Sequence, residues 1–170
     1  MSNKSTIVIA HDIRSAHNIG ALFRTLEFFG VDQFIISGYS PFPKIVSDSR
    51  LPHISQKISN QIHKTALGSE KIINWKRVDD IVGFISQKRS EGFSIVALEQ
   101  SDYSVPLHKF KPPNKILLIL GREVQGIEKS ILKSADIIIE IPALGQKESL
   151  NVVQAAAVAI YHIKFNGIKA

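Results

Sequence analysis

Residues 141–163 read IPALGQKESLNVVQAAAVAIYHI, a polar loop set between an extended apolar segment and an apolar helix. Just before it, residues 136–141 (DIIIEI) have the character of a short buried strand, and Pro142 ends that strand because proline cannot donate to a sheet ladder. The helix is expected to begin at Ser149. From there Leu150, Val152, Val153, Ala155, Ala156, Ala157, Val158, Ala159, Ile160 and Ile163 leave almost no solvated face, which predicts a buried helix. Ser149 suits the cap that a first turn requires, and Asn151 then falls inside that turn, beside a loop containing Gly145. Hydrogen-bonding groups at the mouth of a buried helix make a ligand site.

The same strand–loop–helix unit recurs along the chain. Residues 6–10, 33–37, 94–98, 115–120 and 136–141 are short β-branched or aliphatic runs without a polar face, suited to a parallel sheet covered on both sides. Helical patterns lie between them at 19–29, 54–67, 78–89 and 127–134, and the last runs from 149. This alternation predicts an α/β fold. The loop at 38–52, with prolines 41, 43 and 52, and the stretch 109–114 are irregular connections.

At 170 residues the chain is read as one domain, 1–170, with a core that needs no staples. It has no cysteine, which removes disulfides, thiol catalysis and cysteine-ligated metals. No apolar run is long enough to span a bilayer, and the run 7–10 is broken at once by His11 and Asp12, so neither a membrane nor a signal peptide is expected and the cytoplasm is the predicted compartment. Twenty-one Lys and Arg against fifteen Asp and Glu give a net charge of +6, which favours a polyanionic partner.

Two further blocks carry polar residues at strand-to-helix junctions. Residues 12–25 (DIRSAHNIGALFRT) bring Asn18 and Gly20 to a helix start and Arg24 about one turn later. Asn18 as a cap, Gly20 as a close-packing residue and Arg24 as a solvated charge is the plain alternative. Against it, Leu22, Phe23, Leu26, Phe28 and Phe29 predict a mostly buried helix in which Arg24 needs a partner. Residues 117–127 (LLILGREVQGI) end a strand in a loop bounded by Gly121 and Gly126. It is not a P-loop, since Ile127 and Glu128 stand where the phosphate-binding lysine and hydroxyl residue belong, and no G-x-G-x-x-G occurs in the chain. Histidines 11, 17, 53, 63, 108 and 162 show no i, i+4 pair, so no metal is expected.

Taken in order, Asn18-x-Gly20 with Arg24-Thr25, Gly121-x-Glu123-x-x-Gly126, and Ile141-Pro142 with Gly145 and Ser149-Leu150-Asn151 resemble the three motifs of the SpoU/TrmH family of RNA ribose 2′-O-methyltransferases, in the SPOUT superfamily. The resemblance implies an α/β domain with a SPOUT-type parallel sheet flanked by helices and a C-terminal deep trefoil knot over about 115–166, an exception to the avoidance of knots. It implies S-adenosylmethionine as cofactor, a homodimer with the active site at its interface, and RNA as substrate, tRNA in preference to rRNA. The resemblance implies, by position, that Leu98, Gly121, Ile141 and Leu150 are the candidates for the cofactor shell, that Arg24 is the catalytic arginine, and that Asn18, Glu123, Ser149 and Asn151 shape the site.

Arginine is a poor base, with an ordinary pKa above about 12, so an arginine here is read as orienting the ribose hydroxyl or a neighbouring phosphate. Arg14, Arg24, Lys44, Arg50 and Lys64 are the candidate RNA contacts on the basic surface. Two positions depart from the family pattern. Val153 stands where many members carry a serine, and Arg122 where a small polar residue is common; Arg122 either reaches RNA phosphate or pairs with Glu123. The alternatives to ribose methylation are a non-catalytic RNA-binding protein on the same fold and a SPOUT base methyltransferase.

Overall fold

The computed structural model describes residues 4–122, 125–147 and 149–166. Seven parallel strands form one sheet: β1 (Ser5–His11), β2 (Gln33–Ser37), β3 (Trp75–Val78), β4 (Ser94–Leu98), β5 (Val105–Pro106), β6 (Lys115–Leu120) and β7 (Ile137–Glu140), in the order β3-β2-β1-β6-β4-β7-β5. Among the described residues the α-helices α1 (Ala16–Phe28), α2 (Pro52–Ala66), α3 (Ile81–Ser90) and α4 (Lys129–Leu132) lie between strands, and α5 (Val152–Phe165) follows β7.

The apolar runs sort by parity, as they must in a sheet buried on both faces. Val8, Ala10, Leu118 and Leu120 face α1, α2 and α5, packing on Phe23, Leu26, Ile62 and Ile160. Ile7, Ile9, Leu117 and Ile119 face α3 and α4, packing on Phe84, Ile85 and Ile131. Strand β1 lies between β2 and β6, so the chain builds outward in one direction and later returns to the other side of β1. Such a switch point opens a crevice at the carboxyl ends of the strands.

The predicted strands at 33–37, 94–98 and 115–120 have the observed bounds. Three expectations are corrected. Val78 ends strand β3 instead of opening a helix; α3 starts at Ile81, where Asp80 caps it by accepting from the Gly83 N–H at 2.9 Å. Helix α5 begins at Val152, and its cap is Asn151, whose side-chain oxygen accepts from the Val153 N–H at 2.8 Å; Ser149 lies in the loop before it. Nor is α5 buried all round: the sheet and α1 cover the stripe Val152, Ala156, Ala159, Ile160 and Ile163, while Val158, Tyr161 and Phe165 face out. Packing against one sheet and one neighbour buries a single stripe of a helix, whatever its other faces are made of.

Candidate active site

Three strands deliver their following loops to one crevice. Leu98, Glu99 and Gln100 come from the end of β4, Leu120, Gly121 and Arg122 from β6, and Glu140 and Ile141 from β7; residues 142–147, Ser149, Leu150, Val152 and Ala155 close it. The cavity measures about 540 Å³, inside the range of about 300–1,000 Å³ that small-molecule sites occupy. Leu98, Gly121, Ile141 and Leu150, scattered over fifty residues of sequence, line it together, and Ser149 lines it as well. Glu123 lies outside the described residues.

The first block meets the last beside this cavity. Ser15, not Asn18, caps α1, accepting from the Asn18 N–H at 3.2 Å. The Asn18 side chain is thereby directed to α5, where its oxygen accepts from Asn151 Nδ2 at 3.3 Å. Asn151 stands between two residues of the cavity lining, Leu150 and Val152. Gly20 is a contact of α1 with α2: a Cβ there would stand 2.2 Å from the Ile62 carbonyl oxygen and from Thr65 Oγ1. Arg24 is exposed, correcting the expectation that a buried helix would force a partner upon it. It borders a shallow hollow with Thr25, Phe28, Leu67 and Ala157, outside the cavity lining.

Arg122 has a partner that neither sequence alternative named, while its pairing with Glu123 lies outside the described residues. Its Nη2 and Nε donate to Asp12 Oδ2 at 2.6 and 3.2 Å, across 110 positions of sequence. Burial pushes the Asp12 carboxyl up, but hydrogen bonds from Arg122 and the Tyr39 amide outweigh it and hold the group below its ordinary value. Burial lowers the pKa of the adjacent His11, against the pull of Asp12 and Glu128, and its Nδ1 pairs with Ser37 Oγ at 2.8 Å. His11, Asp12 and Glu128 offer ligand atoms within 4.8 Å of one another, and Asp12 Oδ2 there accepts from the Arg122 guanidinium.

The basic candidates separate into two kinds. Arg14, Lys44 and Lys64 are exposed, and Arg14 borders a groove of about 780 Å³ with His17, Tyr39, Phe42 and Arg77. Arg50 is instead engaged inside its own loop, donating to Asp48 Oδ1 at 2.8 Å and to the Phe42 carbonyl at 3.0 Å, with its guanidinium 3.7 Å from the centre of the Phe42 ring. Sequence reasoning missed Glu99, Glu140 and Lys147 in the cavity and Asp12 behind it. For Glu99 a signal existed: an acidic residue directly after the apolar run 95–98, at the same edge as Gly121.

The sequence model of the SpoU rRNA Methylase family matches residues 5–161. The chain belongs to that family. Among members of known sequence, it is 30% identical over 155 residues to the tRNA (guanosine(18)-2'-O)-methyltransferase TARBP1 of Mus musculus, covering 91% of this chain and 9% of that protein. It is 29% identical over 158 residues to the tRNA (guanosine(18)-2'-O)-methyltransferase of Aquifex aeolicus, covering 93% and 68%. The chain thus spans about a tenth of the mouse relative and about two thirds of the bacterial one. Among solved structures of the SpoU fold, the A. aeolicus TrmH/SpoU tRNA modifying enzyme superimposes with a TM-score of 0.77 at 27% identity, over 95% of this chain and 74% of that one. An AdoMet-bound rRNA methyltransferase from Sinorhizobium meliloti gives 0.82 at 21% identity, over 99% and 59%.

Proposed function

We propose that this SpoU family member is an S-adenosylmethionine-dependent ribose 2′-O-methyltransferase of structured RNA, with tRNA its substrate in preference to rRNA. The observation that carries the reading is the cavity itself, which draws Leu98, Gly121, Ile141 and Leu150 from three separate loops to one crevice, with the Asn18–Asn151 pair beside it. The substrate follows from relatives named as tRNA guanosine methyltransferases. Among the described residues no helix is long and apolar enough to cross a membrane.

The residues fit the cofactor. Leu98, Leu120, Ile141, Leu150 and Val152 offer apolar walls to a flat heteroaromatic ring, Glu140 complements an ammonium, and Lys147 complements a carboxylate. When bound, S-adenosylmethionine supplies a methyl group already electrophilic on its sulfonium. The chain's own task is then to align the ribose hydroxyl and help it lose a proton. Arg24 orients that hydroxyl or its neighbouring phosphate, Asn18 and Asn151 fix the geometry between α1 and α5, Ser149 belongs to the wall, and Glu123 keeps the site-shaping role that the family motif gives it. Arg14, Lys44, Arg50 and Lys64 belong to the surface that meets RNA, with Arg50 contributing through the loop it folds.

The working unit in this reading is a homodimer built from a single domain, 1–170, knotted over about 115–166. The outer face of α1 and α5 supports it: Phe28 is 78% and Tyr161 59% exposed, Val158 and Phe165 lie open beside them, and Tyr161 stacks on Phe165 with ring centres 5.0 Å apart. Arg24 stands at the edge of that face, so covering it with a second copy puts the active site at the interface. Calorimetric titration of S-adenosylmethionine into the folded chain tests the reading. One binding event per chain is expected, and a folded chain that takes up none would contradict it.

A further inference from the structure

Asp12 follows β1 with φ of 58°, in the left-handed region that residues other than glycine rarely adopt. Such an outlier persists only where its surroundings over-determine it, and it motivates a search for function. Here the surroundings are specific. The carboxylate is nearly closed to solvent; Oδ1 accepts from the Tyr39 N–H at 3.0 Å and Oδ2 accepts both Arg122 hydrogen bonds. Gly38 keeps this space open, since a Cβ there would collide with Asp12 Oδ1. Asp12 does not itself line the cavity, but Arg122 does.

Arg122 belongs to the loop between β6 and α4, and that loop is pinned at two points by two carboxylates. At its start, Asp12 holds the Arg122 side chain, while the Arg122 N–H donates to the Gly126 carbonyl at 3.3 Å. At its end, Glu99 Oε2 accepts from the Ile127 N–H at 2.8 Å, and Gly126, at φ of 69°, leaves room for that carboxylate where any side chain would strike it. Gly121, Arg122 and Gly126 are all cavity wall. The first pin joins β1 to the neighbouring β6 across the switch point of the sheet, at the edge where the cavity opens.

We propose that Asp12 is a positioning residue for the cofactor cavity: through its ion pair with Arg122 it holds the loop after β6 in the shape that binds the cofactor. The inference rests on the cofactor reading given above. A charge-assisted pair whose carboxylate is nearly closed to solvent holds its geometry more tightly than a neutral contact, and an arginine engaged this way is not offered to RNA phosphate.

The test uses the full chain, with S-adenosylmethionine binding followed by calorimetry and hydrogen exchange of the unliganded protein followed across 116–132. Asp12→Asn retains the size and the tolerance of left-handed backbone but loses the charge; Arg122→Gln removes the other partner from a position that is only partly buried. Each is expected to raise the cofactor Kd about tenfold, the loss of roughly one charged hydrogen bond, and to speed exchange across 116–132. In Asp12→Asn, which lies outside the cavity lining, turnover at saturating cofactor and the KM for RNA should change less than about twofold. The double variant should be no worse than either single one, because both remove the same interaction, and Arg122→Lys should recover part of the affinity. An unchanged cofactor Kd in folded single variants, additive losses in the double variant, or a raised RNA KM with unchanged cofactor Kd would each overturn the proposal. Should Asp12→Asn fail to fold, Arg122→Gln and Arg122→Lys decide alone. Failure of the wild-type chain to bind cofactor would instead sink the reading on which the proposal rests.

Discussion

Two loops at the carboxyl edge of the sheet are built in opposite ways. The one between β2 and α2 folds on itself: Arg50 gathers Asp48 and the carbonyls of Phe42 and Pro43, and the Phe42 ring lies between the guanidinium groups of Arg50 and Arg77, at 3.7 and 4.6 Å. Hydrogen bonds from Arg50 hold the Asp48 carboxyl well below the usual carboxylate range. The one between β7 and α5 does the reverse. From 142 to 150 every described residue is exposed, Leu144 completely, and no side-chain hydrogen bond occurs among them. A loop that satisfies itself is a finished surface. A loop whose backbone groups are left open beside a cavity has them to offer to a ligand.

The contrast can be broken most severely from outside both loops. Arg24→Ala is expected to lower turnover by about 10²-fold or more while sparing cofactor affinity, because Arg24 stands apart from the cavity lining. Loss of cofactor binding in that variant would contradict the role given to it. Next in size, S-adenosylmethionine should slow hydrogen exchange across 142–150 by about tenfold or more and leave 38–51 within about twofold, the difference that open and self-satisfied loops require. Arg50→Ala should invert the picture, speeding exchange across 38–51 and lowering Tm by about 2–4 °C with an unchanged cofactor Kd.

The smallest effect is one of pH. Because His11 has a lowered pKa in the fold, the unfolded chain binds the proton more readily. Its contribution to stability is therefore complete above the ordinary value of 6.5 and is lost as pH falls through the lowered one. Asp12, also lowered, keeps its contribution until the pH falls below the ordinary carboxylate value of 3.8 and through its own lowered pKa. Urea denaturation at pH 7 and pH 5 should thus show wild type losing more stability than His11→Gln over that interval. An equal loss would remove His11 from the account.

How much of this was legible in the sequence follows the range of the interactions. Strands β2, β4 and β6 were legible because burial on both faces gives each an unbroken apolar run inside its ends, at 34–36, 95–98 and 116–120. Strand β3 was not, since Trp75, Lys76, Arg77 and Val78 lie at the partly exposed edge of the sheet and show no such run. The start of α5 was misplaced because Ser149 and Asn151 are both good caps, and only the observed bond to Val153 chooses between them. The four cofactor candidates came from resemblance and meet in one cavity. Asp12 could not be read at all: its partner lies 110 positions away, and no periodicity encodes an ion pair between neighbouring strands' loops.

The most direct test of the account is methyl transfer from labelled S-adenosylmethionine to tRNA and ribosomal RNA transcripts that carry no prior modification. The account predicts label in tRNA, retained at an alkali-resistant linkage as a ribose 2′-O-methyl group must be. Label released from alkali-labile nucleotides as a methylated base, or no incorporation by protein that binds the cofactor, would contradict it.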